Sequence, residues 1–184
     1  MRPAVFLDRD GTIIRMVDYI SDPAHVELID GAAEAIVALR AAGYACIVVT
    51  NQSGIGRGYY TEDDFQAVQC EMDRQLAERG AQVDGVYFCP VAPDSSDLTT
   101  IAHVDRKPGP GMLLRAAKEH GLDLSRSWMI GDMPSDTLAG RNAGCGGCIL
   151  VRSGKDHGVE DVPSADHVVA DIQQAARLIL GATT

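Results

Sequence analysis

Ala4-Val5-Phe6-Leu7-Asp8-Arg9-Asp10-Gly11-Thr12 opens as an unbroken apolar run and ends abruptly in two carboxylates spaced i, i+2, followed by a glycine. Side chains two apart on an extended chain point the same way, so Asp8 and Asp10 are predicted to converge just beyond the carboxyl end of a buried strand. Two unit charges ~4 Å apart at an effective dielectric of ~20 repel by roughly 4 kcal/mol, so the pair calls for a cation, a shared proton or a shifted pKa. A hard divalent ion fits best. Gly11 permits a tight turn directly after the pair, and Thr12 offers a hydroxyl or a backbone donor to an incoming oxyanion. The plain structural alternative is an acidic turn after a core strand.

Outward from this segment, short β-type runs alternate with helix-type stretches, the pattern of an α/β fold with a largely parallel sheet. The strand candidates are Ala4–Leu7, Tyr44–Thr50, Gly85–Cys89, Ser127–Ile130, Gly147–Val151 and a weaker Asp166–Val169. Helices are predicted over Ala32–Ala42, Glu62–Arg79 and Gly111–His120, each followed by a glycine where a C-terminal cap belongs, and over Ile172–Leu180. Thr61 before Glu62, Asp63 and Asp64 reads as an N-cap with acids placed favourably for the helix dipole. The irregular stretch Pro90–Gly109 is too long for an ordinary connection and is read as functional.

The chain has 184 residues, 46% of them hydrophobic, enough to bury a substantial core in one domain spanning 1–184. A net charge of −10 argues against general affinity for nucleic acid or an anionic membrane, so a phosphorylated ligand must be met by local positive charge. No apolar run approaches the ~18 residues of a membrane span, and the five cysteines, an odd number, fit reduced thiols. A cytoplasmic monomer is expected.

Ligands of open parallel sheets sit outside the carboxyl ends of the strands. The residues following the strands here share one chemistry: Asp8 and Asp10, then Thr50-Asn51-Gln52-Ser53-Gly54, then Arg106-Lys107-Pro108, then Gly131-Asp132 with Asp136 beyond. That set can hold a metal and a phosphoryl group. Asp8 is assigned as nucleophile, and Asp10 as the acid that protonates the leaving oxygen and later activates water. Asp8, Asp132 and a backbone carbonyl near Asp10 are the expected Mg²⁺ ligands, supported by Asp136. Lys107 neutralises the nucleophile and a phosphoryl oxygen, while Thr50 and the backbone donors after it receive the other oxygens.

The four motifs, DRDGT at Asp8–Thr12, Thr50, Lys107 and GDMPSD at Gly131–Asp136, resemble those of the haloacid dehalogenase (HAD) superfamily of phosphatases over nearly the whole chain. Within it, FLDRDGT, VVTNQSGIGRG, the Cys89-Pro90 pair and RKPGPGM at Arg106–Met112 are similar to the D-glycero-D-manno-heptose 1,7-bisphosphate 7-phosphatases, with histidinol phosphatases as close relatives. The resemblance implies a three-layer Rossmann-like domain without a cap. It also implies a small phosphorylated sugar as substrate, in the supply of activated heptose for surface polysaccharide. Histidinol phosphate is the alternative substrate, and a phosphate-binding module without catalysis the alternative from another class. Only ~17 residues separate the first motif from the first long helix, which leaves no room for an inserted lid there.

Members of that family commonly carry a zinc loop of form CxH, a spacer, then CxC. Here the halves read Cys89-Pro90-Val91 and His103-Val104-Asp105, so a metal-free loop is expected, with Cys89, His103 and Asp105 the only residues left for a zinc site. Cys145-Gly146-Gly147-Cys148 has redox spacing but precedes a strand rather than opening a helix, and reads as small residues entering the core. Arg57, in the loop Gly54-Ile55-Gly56-Arg57-Gly58, reads either as a solvated charge or as a clamp on substrate. Arg106 is the better candidate for gripping hydroxyls or a second phosphate. With no lid, Pro90–Asp105 is expected to provide most substrate contacts.

Overall fold

The computed structural model describes residues 1–93, 99–154 and 162–181. Strand β1 (Ala4–Leu7) is fully buried and lies in the middle of the molecule, between β2 (Ala45–Asn51) and β4 (Trp128–Gly131). With β3 (Gly85–Cys89), β5 (Gly147–Val151) and β6 (His167–Val169) the sheet has six strands in the order β3-β2-β1-β4-β5-β6, and every pairing is parallel. The strand order reverses at β1, so the rim above β1, β2 and β4 is the topological switch point of this sheet.

Alternation along β1 divides the core in two. Val5 and Leu7, with Cys46 and Val48, pack against helices α1 (Ala32–Ala41), α3 (Glu62–Glu78) and α6 (Ile172–Ile179) through Ile36, Leu39, Met72, Leu76 and Ile172. Ala4 and Phe6, with Ile47 and Met129, pack on the other face against α4 (Gly111–His120) and α5 (Pro134–Ala143) through Met112, Leu113 and Ala139. The result is three layers with helices on both faces. A further four-residue helix, α2 (Ser53–Gly56), follows β2 directly.

The element ends follow local chemistry. Thr61 Oγ1 accepts the Asp64 N–H and Asp64 Oδ2 accepts the Thr61 N–H, closing a capping box that starts α3. Asp171 caps α6 by accepting the Gln174 N–H at 2.8 Å. Between β1 and α1 the only helix is a single 3-10 turn, Pro23–His25, so no inserted domain stands over the rim from that side.

Candidate active site

Asp8 is the first residue beyond β1, and the parallel register of β1 with β2 and β4 carries Thr50 and Asp132 to the same rim. Lys107 arrives from the loop before α4 and is held there by Asn51, whose side chain accepts the Lys107 N–H at 3.0 Å and donates to the Lys107 carbonyl at 3.1 Å. Its ammonium then spends all three donors inside the protein: Asp8 Oδ1 at 2.6 Å, Asp136 Oδ1 at 2.7 Å and the Val49 carbonyl at 2.8 Å. Burial opposes the charge on Lys107, but Asp136 and Asp8 outweigh it and raise the ammonium's pKa above its ordinary value.

Asp8, Asp132 and Asp136 each bring a carboxylate oxygen within 4.8 Å of the others, and all three residues are buried. Asp136 sits in the first turn of α5, with its second oxygen accepting the Met133 N–H at 2.9 Å. Asp132 lies in a slot between two glycines: a Cβ on Gly11 would fall 2.7 Å from Asp132 Oδ2, and one on Gly154 only 2.1 Å from it. Gly11 is also left-handed, at φ +85°, as its turn requires. Three carboxylates face one ammonium. Burial, reinforced by Asp136, Asp132 and Asp10 and opposed by Lys107, pushes the Asp8 carboxyl well above its ordinary value. An oxygen-only set with surplus negative charge fits a hard divalent cation.

Asp10 was expected to offer a backbone carbonyl to the metal, and its side chain is engaged elsewhere. Its carboxylate is not in the three-carboxylate group and turns instead to Arg9, which donates from Nε to Oδ2 and from Nη2 to Oδ1, each at 3.1 Å. Gln52 Nε2 donates to the same Oδ2 at 3.0 Å and to Thr50 Oγ1 at 2.8 Å. Arg9 is completely buried and lies over the Phe65 ring, 5.1 Å from its centroid. The third carboxylate grouped with Asp8 and Asp132 is thus that of Asp136, while the fork of Arg9 holds the Asp10 side chain. That leaves the Asp10 backbone carbonyl as this residue's remaining offer to a cation.

A cavity of about 360 Å³ opens above these groups, and Asp8, Asp10, Thr50, Ser53, Lys107 and Asp132 line it. Asn51 and Gln52 also reach its wall; the Asn51 amide pairs with the Lys107 backbone, and the Gln52 amide donates to Asp10 and Thr50. Thr12, expected to meet an oxyanion, is fully buried and is not part of the wall. Arg106 is on the wall, donating to the Val91 carbonyl at 2.9 Å. Burial, with Arg57 nearby, lowers its pKa from the ordinary value. Arg57 itself is exposed and off the wall.

The loop Pro90–Asp105 does not provide the wall among the described residues. Met16, Val17, Asp18, Tyr19 and Ile20, after the first motif, do so instead. Tyr19 is the one described non-glycine residue at positive φ, 53°, and meets Tyr59 edge-on at 4.8 Å. Apolar and aromatic residues in a segment too short for a lid were the available sequence signal for this wall. Tyr60 and Ser135 were missed as well.

The residues left from the family's zinc loop are each engaged elsewhere. Among the described residues Cys89, His103 and Asp105 do not gather as a ligand group. His103 Nδ1 accepts the Asp105 N–H, the Asp105 carboxylate is paired with Arg115 at 2.8 Å, and burial raises the Cys89 thiol. Cys145 and Cys148 are buried, their thiols pushed up by burial to about 12 and about 11, values that keep them protonated and unreactive.

An acidic cluster at the switch point of a parallel sheet, with one lysine set into it, belongs to a known class. Residues 104–175 match the HAD-hydrolase-like family model, and the protein is a HAD-like hydrolase. The D-glycero-beta-D-manno-heptose-1,7-bisphosphate 7-phosphatase of Pasteurella multocida is 41% identical over 181 residues, 98% of each chain. The D-glycero-alpha-D-manno-heptose-1,7-bisphosphate 7-phosphatase of Burkholderia mallei is 46% identical over 149 residues, 80% of this chain and 79% of that one. The crystal structure of D,D-heptose 1,7-bisphosphate phosphatase from B. bronchiseptica, complexed with magnesium and phosphate, superposes with a TM-score of 0.86 at 30% identity, covering 98% of this chain and 99% of that one. The chain belongs to the family of D-glycero-D-manno-heptose-1,7-bisphosphate 7-phosphatases.

Proposed function

We propose that the protein is a Mg²⁺-dependent phosphatase that removes the 7-phosphate of D-glycero-D-manno-heptose 1,7-bisphosphate in the supply of activated heptose. The observation that carries this reading is Asp8, buried at the end of the central strand with one oxygen 2.6 Å from Lys107 Nζ and two further carboxylates beside it. A carboxylate so placed is an in-line nucleophile with its charge partner already in position. Asp8 attacks phosphorus while the bond from phosphorus to the sugar C7 oxygen breaks, and Asp10 gives its proton to that oxygen. Asp10, now a carboxylate, takes a proton from water as the water oxygen attacks the aspartyl-phosphate, releasing inorganic phosphate and restoring Asp8. Asp8, Asp132 and the Asp10 carbonyl, with Asp136 in support, would hold Mg²⁺, which would supply positive charge for the phosphoryl oxygens. Thr50 and Ser53 face those oxygens, and Arg106 meets the second phosphate.

The reading includes a cytoplasmic monomer acting on a small sugar ester, with no affinity for nucleic acid or membrane. No helix among the described residues is long and apolar enough to cross a membrane. It also includes a metal-free loop at Cys89, so protein purified without chelator should hold less than about a tenth of an equivalent of zinc. One full equivalent refutes that part.

Steady-state kinetics on both anomers of the bisphosphate and on histidinol phosphate test the substrate. The expected kcat/KM for the preferred anomer exceeds that for histidinol phosphate by about 100-fold or more. A preference for histidinol phosphate overturns the assignment. Asp8→Asn is expected to lower kcat by at least about 10³-fold, and unimpaired hydrolysis by that variant removes the covalent route.

A further inference from the structure

The assigned reaction needs Asp10 to carry a proton on a defined oxygen, and the structure shows which one is open. Asp10 Oδ2 accepts from both Arg9 Nε and Gln52 Nε2, at 3.1 and 3.0 Å, which uses the two acceptor sites of that oxygen. Oδ1 accepts from Arg9 Nη2, at 3.1 Å, which also lies 3.1 Å from Oδ2, and from neither Arg9 Nε nor Gln52 Nε2. Gln52 holds this pattern because its own amide cannot turn over. Its Oε1 receives the Tyr60 hydroxyl at 2.5 Å and Arg9 Nη2 at 3.3 Å, both donors, so the NH₂ end must face Asp10 and Thr50. Burial pushes the Tyr60 phenol up to about 12, which keeps it a donor at neutral pH.

We propose that Gln52 is a positioning residue that saturates Asp10 Oδ2 together with Arg9, leaving Oδ1 to carry the proton delivered to the leaving oxygen, and that the Tyr60 hydroxyl locks Gln52 in that role. The inference deepens the acid–base assignment of Asp10 and rests on it. Freed from Gln52, each Asp10 oxygen keeps one Arg9 donor and one open site, so either can take the proton. The proton is then misplaced for a fraction of encounters, and the cost falls on the step that breaks the ester bond.

A poor leaving oxygen needs that proton and a good one does not, so the test compares phenyl phosphate with p-nitrophenyl phosphate, which share the transferred group. In Gln52→Ala and Tyr60→Phe, kcat/KM for phenyl phosphate is expected to fall about tenfold further than for p-nitrophenyl phosphate, a part of the ~10²–10⁴-fold that general acid catalysis supplies. In the Asp10→Asn background the same two changes should add no further selectivity. Equal losses on both esters, or full additivity with Asp10→Asn, overturn the proposal. If Asp10→Asn is itself unselective, the acid role falls and this inference with it. If Asp10→Asn is selective and the other two are not, the positioning role alone falls. Tyr60→Phe keeps the ring and its packing, so it decides the matter should Gln52→Ala fail to fold.

Discussion

Lys107 is 3% exposed and has no donor left over, because Asp8, Asp136 and a strand carbonyl take all three. Removing it strands buried carboxylates. Lys107→Met should therefore cost about 3–5 kcal/mol of unfolding free energy in chelator, measured by urea denaturation, and a loss under about 1 kcal/mol would mean that the lysine is not the charge partner of the site. Asp8 gives a pH-dependent counterpart. Burial raises its carboxyl, so the metal-free folded protein holds a proton that the unfolded chain has already released. Stability from this group is present at low pH and is lost as pH rises from the ordinary carboxyl value through the raised folded one. A divalent cation competes for the same site, so the Tm increase on adding Mg²⁺ should grow over that window; an increase independent of pH would contradict it. Asp8, Asp132 and Lys107 were legible in the sequence because acids and a lysine after apolar strands have few other uses. The commitments of Asn51 and Gln52 were not, since a side-chain amide serves substrate and protein equally well and only its partners decide.

At the scale of elements, caps and close approaches set both stability and site geometry. Asp171→Ala removes the acceptor for the Gln174 N–H at the start of α6 and should cost about 1 kcal/mol, read as a shifted urea midpoint, with kcat unchanged. Gly154→Ala should do the reverse. The added methyl meets Asp132 Oδ2 at 2.1 Å, so Mg²⁺ affinity by calorimetry should fall about 10- to 100-fold. Unaltered affinity would show that the slot around Asp132 yields. Strand and helix positions were readable to within a residue or so: β3 and β5 stand as predicted, and β2 begins at Ala45 rather than Tyr44. Helix α5 had no bounds predicted for it, because Ser135, Thr137, Gly140 and Asn142 are weak helix formers. Tertiary packing decides it. A Cβ on Gly140 would lie 2.6 Å from Met129 Cβ, so this helix sits unusually close to the sheet.

For the molecule as a whole, alternation of strands and helices made the layered architecture legible, but the order β3-β2-β1-β4-β5-β6 was not, since periodicity says nothing of which strands are neighbours. Among the described residues the wall comes from Met16–Ile20 and not from the loop Pro90–Asp105, of which residues 94–98 lie outside the described residues. The reason this was not legible is related. Spacing shows that Met16–Ile20 cannot form a lid, yet not that the segment folds over the site. The nucleophile stands at the end of a central strand that is buried throughout, whereas Val17, Asp18 and Tyr19 are exposed and belong to no regular element. Hydrogen exchange should reflect this: the amides of Val5–Leu7 should open only with global unfolding, and those of residues 17–19 orders of magnitude faster. The cavity thus joins a nucleophile on a buried strand to a wall on an exposed, irregular segment. Substitutions at Val17 and Tyr19 are therefore expected to re-rank the esters accepted while the Asp8–Lys107 pair stays as it is.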